Sequence, residues 1–298
     1  MKPESHKNIT NLAIGIYTKF ASGGKLALAL QDERLLKATW EGSMDEDNIS
    51  PSRGLNWHFF PSNTTIANGE ISLVPIFFPN FKLRPTSLFW ITKRQGDFLE
   101  LIQDGASKHL FSTFGRILHH IQDMSTPSHV VPVYHGPSME DSFENYLTMT
   151  SPVNHWEAIE KRLQDMQGYF DAVLSGVATE DFTSLYNKAA HRVLSELQAP
   201  LNLFPVVINN DYPDAKVSSD AFWLFYDGQD ADTVPLRIKG FGRFGHLGKK
   251  FGVCTTYNVQ GKDIKIMPSV FEDIAVHYMK SAVEDSLRAL KYFDQNLE

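Results

Sequence analysis

Apolar residues recur at helical spacing through most of this chain. Leu110, Phe111, Phe114, Ile117, Leu118 and Ile121 fall on one stripe, which predicts an amphipathic helix ending before Met124. Ile9, Leu12, Ala13, Ile16, Tyr17 and Phe20 repeat the pattern over residues 6–21, and Gly23-Gly24 stops that helix. A second helix is expected over about 25–40, and helices resume over about 94–123, 141–148, 152–175 and 179–197. In the fourth of these Trp156, Ile159, Leu163, Met166 and Phe170 form the stripe. The segment 269–293 carries Phe271, Ile274, Ala275, Tyr278, Ala282, Leu287, Leu290 and Phe293 and predicts a long closing helix.

The intervals between these stripes are polar and rich in turn formers. Residues 42–60 read as a surface loop, and dense turn formers over 62–85 predict irregular structure. A Pro- and Asp-rich connection spans 199–233. Residues 235–260 alternate Gly, aromatic and basic residues with β-branched ones, which predicts a small β-hairpin. The expected class is mainly α. No repeat, low-complexity tract or long charge block divides the chain, so residues 1–298 are expected to form a single domain.

Composition narrows the chemistry. No run approaches the roughly 18 apolar residues that a membrane span requires, so no transmembrane segment is expected. A net charge of -7 gives no general attraction to nucleic acid or to anionic membrane. Cys254 is the only cysteine, which excludes an intramolecular disulfide and a thiolate-rich zinc cluster. With eleven histidines against that one cysteine, any metal here is held by imidazole and carboxylate.

The stretch 115–129, G-R-I-L-H-H-I-Q-D-M-S-T-P-S-H, concentrates such ligands. His119 and Asp123 are i and i+4 neighbours on one helix face. Pro127 disfavours helical geometry at Thr126, so the chain turns there and can bring His129 back beside them. A His and an Asp on an apolar helix face are costly to bury unless they are paired or bound to metal. Further candidate ligands are His6 at the start of the first helix, Asp47 and His58 flanking the first long loop, and Glu144 after the motif.

The pattern H-x3-D-x5-H followed by a Glu, with S-H-x-x-I at residues 5–9, G-S-x-x-x-D at 42–47 and N-x-H-F at 56–59, resembles the zinc-dependent phospholipase C family. It is also similar to the related fungal zinc nucleases that cut single-stranded nucleic acid. The resemblance implies a mostly helical fold and a site for up to three Zn2+ ions. It implies one zinc on Asp47, His58, His119 and Asp123, and a second sharing Asp123 with His6 and the α-amino group and carbonyl of Met1. The third would sit on His129, Glu144 and one more ligand. Asp123 is thereby expected to bridge two ions, and Asp47, or Glu4, to orient or deprotonate the attacking water.

Three departures from the family pattern bear on those expectations. Met1 stands five residues before His6, where the nuclease branch has a tryptophan whose backbone chelates zinc. On the reading that the chain is a mature form lacking its leader, the protein is secreted or periplasmic; otherwise it is cytoplasmic. Glu140 stands where the family has a histidine, so either Glu140 completes the third site or His135 reaches in from the preceding loop. Asp45 competes with Asp47, and His120 with His119; the matched spacing favours Asp47 and His119.

Two other features complete the reading. Residues 240–245 match G-x-G-x-x-G, but His246-Leu247-Gly248-Lys249-Lys250 is no apolar helix start and no βαβ unit surrounds it, so a dinucleotide site is rejected. Arg237, Lys239, Arg243, Lys249 and Lys250 alternate with Phe241, Phe244 and Phe251, a surface suited to peripheral contact with lipid headgroups or to stacking on single-stranded nucleic acid. The expected activity is zinc-dependent hydrolysis of a phospholipid or other phosphodiester by metal-activated water, with diacylglycerol and a phosphorylated headgroup as products. The alternatives are a single-strand nuclease, for which nucleic acid is the partner, and a non-catalytic helical domain stabilised by metal.

Overall fold

The computed structural model describes residues 1–47, 58–60, 70–71, 84–130, 141–148, 155–176, 178–198, 204–205, 216–217, 222–224, 243–244, 250–259 and 262–297. Its class is mainly α. In chain order the helices are α1 (Pro3–Phe20), α2 (Lys25–Ala29), α3 (Glu33–Asp45), α4 (Ser87–Leu101), α5 (Lys108–Asp123), α6 (Pro127–Val130), α7 (Ser142–Tyr146), α8 (His155–Gln164), α9 (Gln167–Gly176), α10 (Phe182–Gln198) and α11 (Pro268–Asn296). None of the described helices is long and apolar enough to cross a membrane.

Several expected helices are divided. The segment over 25–40 is two helices, because the chain leaves α2 at Leu30 and Asp32 then caps α3, its carboxylate accepting from Arg34 N–H at 2.8 Å. The expected 94–123 helix starts earlier and is broken by Gly105, whose φ of 79° lies in the left-handed region open to glycine. Ser107 then caps α5 by accepting from Leu110 N–H. The 152–175 helix is likewise two, α8 and α9, with a turn at residues 165–166.

α5 is the central element. From residue 113 to its end every residue except Arg116 is buried, so its polar residues lie inside the protein. It crosses α3 at unusually close range. A Cβ on Gly42 would collide with the backbone of Ser112, and one on Gly115 with the backbone of Thr39 and Ser43. The two glycines, facing from opposite helices, let the backbones touch. Phe98 of α4, Phe114 of α5, Phe182 of α10 and Phe293 of α11 fill the other side of the core with ring centroids 4.7–6.4 Å apart.

A second aromatic group lies behind α7, where Phe143 meets Trp223, Phe251 and Tyr278 edge-on at 5.1–5.9 Å. Strand pairing among the described residues is short and antiparallel. It joins Glu70–Ile71 with Arg84–Pro85, Phe204–Pro205 with Lys216–Val217, and Trp223–Leu224 with Arg243–Phe244. Thr256–Val259 pairs with Lys262–Lys265, overlapping the end of the expected 235–260 hairpin. Most of that segment, including the bulk of the G-x-G-x-x-G and basic-aromatic stretch, lies outside the described residues.

Candidate metal centre

The close crossing of α3 and α5 carries Asp47, just beyond α3, to the last two turns of α5, where His119 and Asp123 project on one face. α1 supplies His6, buried and stacked on His119 with ring centroids 3.9 Å apart. His58 arrives through backbone pairing. His129 Nδ1–H donates to the His58 carbonyl at 2.7 Å, and Phe60 N–H donates to the His129 carbonyl at 2.9 Å, so residues 58–60 are pinned to α6. α7 brings Glu144, its start fixed by the Asp141 side chain accepting from Phe143 N–H at 2.9 Å.

Three imidazoles are oriented in the same way. Nδ1 of His119 lies 2.8 Å from the Ser43 carbonyl, Nδ1 of His129 lies 2.7 Å from the His58 carbonyl, and Nδ1 of His6 lies 2.8 Å from Gln122 Oε1. Each oxygen accepts the Nδ1 proton, so Nε2, the atom turned toward the carboxylates, is the one that carries the lone pair in a neutral ring.

Two groups of donors converge on Asp123. Its Oδ2 lies 3.1 Å from His119 Nε2 and 3.5 Å from His58 Nδ1. Asp47 Oδ1 lies 3.5 Å from His58 Nδ1 and 3.7 Å from His119 Nε2, and the two imidazole nitrogens are 2.9 Å apart, but Asp47 itself groups with His6 and His119. A tetrahedron with metal bonds of roughly 2.0–2.1 Å has edges of about 3.3–3.4 Å, so His58, His119 and Asp123, 2.9–3.5 Å apart, are spaced as three ligands of such an ion. Asp123 Oδ1 faces the other way, 3.3 Å from His6 Nε2 and 2.9 Å from the Met1 amino group. His6 Nε2, Asp47 Oδ2 and Asp123 Oδ2 are buried without a hydrogen-bond partner among the described residues. Buried donor atoms in that condition fit a metal far better than an apolar core.

Met1 reaches the cluster through its amino terminus. Its amino group lies 2.9 Å from Asp123 Oδ1 but also 3.0 Å from His129 Nε2 and 3.1 Å from Glu144 Oε1. It therefore sits between Asp123 and the His129–Glu144 pair, whose own separation is 2.9 Å, and not solely in a group with His6. His135 and Glu140, the two candidates for the remaining third-site ligand, lie outside the described residues. Glu4 is half-buried in the first turn of α1.

The electrostatics are those of concentrated buried charge. Burial raises the Asp47 carboxyl, but His119, the hydrogen bond from His58, His6 and the amino terminus outweigh it and hold it at about 2. Asp123 is likewise held well below the usual carboxylate range against burial, through His129, the amino terminus and His119. Burial lowers His58, yet its bonds to Asp123 and Asp47 raise it to about 10. Burial and the neighbouring His119 push His6 down to about 4, which keeps it neutral. Burial opposes the charge on the Met1 amine, and Asp123, Glu144 and Asp47 reverse that and raise it to about 11. Carboxylates thus stay ionised in a buried site and draw positive charge to it.

The competing positions separate clearly. Asp45 is partly exposed and pairs with Arg116 at 3.6 Å, away from the ligand face. His120 directs Nδ1 to the Ser87 hydroxyl at 3.0 Å. Gln122 was not among the expected site residues; the sequence shows an amide beside an expected ligand, and only the structure shows it buried. No family model, curated protein or solved structure matches this chain in comparisons with known proteins.

Proposed function

We propose that the chain is a zinc-dependent phosphodiester hydrolase of the phospholipase C type. The observation that supports this reading most directly is Asp123, whose two carboxylate oxygens face two separate sets of groups 2.9–3.5 Å away, His6 and the Met1 amine on one side and His119 and His58 on the other. Imidazole and carboxylate donors suit zinc, and paired ions are the common solution for phosphodiester hydrolysis. Asp47, His58, His119 and Asp123 would hold one ion, and His6 and Asp123 would contribute to a second. His129 and Glu144 would contribute to a third. Bound zinc would supply positive charge to the phosphate oxygens and make water a stronger acid at neutral pH.

The chain's own groups prepare the rest. Nδ1 acceptors hold the imidazoles at fixed angles, so little reorganisation accompanies charge development. Asp47, ionised at neutral pH, orients the attacking water by accepting its hydrogen bond. Water oxygen bonds to phosphorus, the bond from phosphorus to the glycerol oxygen breaks, and that oxygen takes a proton to leave as diacylglycerol. The choice of phospholipid over nucleic acid rests on the motif resemblance and on a net charge of -7, which does not favour a polyanion.

Metal analysis together with parallel assays on phosphatidylcholine and single-stranded DNA tests the proposal. The expected result is close to three zinc ions per chain, with phosphatidylcholine hydrolysis abolished by chelation and by Asp123→Asn. Cleavage of DNA with no action on lipid would select the nuclease reading. A purified chain without transition metal, unaffected by Asp123→Asn, would sink the catalytic one.

A further inference from the structure

We propose that Gln122 is a positioning residue that fixes the tautomer of His6 and so presents the His6 Nε2 lone pair to metal, an inference that rests on the metal reading above. Gln122 lies next to Asp123 on α5 but faces α1 and α11. Its Nε2 donates to the Thr10 hydroxyl of α1 at 3.0 Å and to the Ser286 hydroxyl of α11 at 3.2 Å, and its Oε1 lies 2.8 Å from His6 Nδ1.

The orientation of this amide follows from Ser286. The Ser286 hydroxyl proton is donated to the Ala282 carbonyl at 2.7 Å, so toward Gln122 its oxygen acts as an acceptor. The NH2 group must then face Ser286, which turns Oε1 toward His6. An oxygen at 2.8 Å from Nδ1 accepts a proton from it, and the neutral ring is left with its lone pair on Nε2. That atom is fully buried, lacks a hydrogen-bond partner among the described residues, and lies 3.3 Å from Asp123 Oδ1. A lone pair facing a carboxylate oxygen at that distance is stabilised by a cation held between them. His119 and His129 receive the same service from backbone carbonyls; His6, on the first helix, receives it from a side chain that ties three helices together.

Two measurements on the full chain test this. In the metal-stripped protein, long-range proton–nitrogen NMR should show His6 as the Nδ1–H tautomer, and Gln122→Leu should shift it toward Nε2–H or a mixture. In a zinc titration against a competing chelator, Gln122→Leu should weaken one site about 10- to 100-fold and leave the others within about twofold. Gln122→Glu, which keeps the acceptor, should restore most of the affinity. If Gln122→Leu does not fold, Ser286→Ala combined with Thr10→Val removes the amide's acceptors, and the same shift is expected in smaller degree. An Nε2–H tautomer in the unmodified chain, or a Gln122→Leu protein with unchanged tautomer and zinc affinity, would overturn the role of Gln122 while leaving the metal centre standing. An unmodified chain that binds no zinc would overturn the metal reading, and this proposal with it.

Discussion

At the scale of single residues, the buried carboxylates divide into two kinds. Asp47 and Asp123 carry oxygens without hydrogen-bond partners among the described residues and face imidazoles. Glu46, one residue away, also buries an oxygen without a partner among the described residues, Oε2, but it faces arginines: its Oε1 accepts from Arg94 Nε and Nη2 at 3.0 and 2.8 Å, and Arg116 lies 3.6 Å off. Burial raises the Glu46 carboxyl, but His120, Arg94, His119 and Arg116 hold it at about 2, below its ordinary 4.5. A depressed carboxyl contributes stability that is complete above the unfolded value and is lost as pH falls toward the folded one. Glu46→Gln should therefore destabilise the protein by about 3 kcal/mol at neutral pH. It should also flatten the stability profile between pH 4.5 and about 2. Urea denaturation across that range checks it, and parallel profiles for the two proteins would refute it. The ligand candidates were legible as residue types, but the separation of Asp47 from Asp45 and of His119 from His120 was open to sequence except through motif spacing. One position along a helix turns a side chain by about 100°, and which turn faces the site depends on the crossing partner.

At the scale of elements, the α3–α5 crossing sets the position of Asp47 against His119 and Asp123. Gly42 and Gly115 make it possible, since a Cβ on either would meet backbone atoms of the opposite helix, which have no flexible side chain to yield. Gly115→Ala should lower stability by about 2–3 kcal/mol and weaken zinc binding at the Asp47 group, measured by denaturation and by chelator competition. Unchanged zinc affinity would mean that the crossing does not set ligand geometry. The helices themselves were readable from apolar periodicity; their interruptions at residues 30–32 and 102–107 were not, because hydrophobic spacing continues across both while Asp32, Gly105 and Ser107 end one helix and start the next. α5 reads as amphipathic from its apolar stripe, yet its C-terminal half is buried on nearly every side, since α1, α3 and residues 58–60 also pack against it.

At the scale of the whole molecule, the centre draws on α1, α5, α6, α7, Asp47 and His58, so a metal bound there would be coupled to the fold. Zinc that binds the folded state and not the unfolded one stabilises it by about 4 kcal/mol at a free concentration 1,000 times its Kd. Chelation should lower the thermal midpoint by several degrees, read by calorimetry, and Asp123→Asn should abolish the difference between treated and untreated protein. No change on chelation would argue against a bound ion. Closure of the fold has its own tie at the other end of α11. Asp294 accepts from Tyr17 O–H at 2.8 Å and from Leu26 N–H at 2.7 Å, joining α11 to α1 and α2. Asp294→Ala should cost about 2 kcal/mol in denaturant unfolding while leaving zinc stoichiometry unchanged; a loss of zinc would place this contact in the metal centre's support.

By itself, the order of residues determined the helical class, through apolar periodicity, and the donor types available to a metal, through its histidines, carboxylates and single cysteine. It also marked 115–129 as the stretch where such donors crowd together. Which oxygen of Asp123 faces which imidazole, how His58 reaches a site 61 residues away from His119, and why Gln122 faces inward were decided by tertiary structure alone. Periodicity is a local property of the backbone, whereas ligand geometry is fixed by contacts between elements distant in sequence: two glycines at a helix crossing, carbonyls that hold Nδ1 protons, and a serine hydroxyl already committed to its own helix.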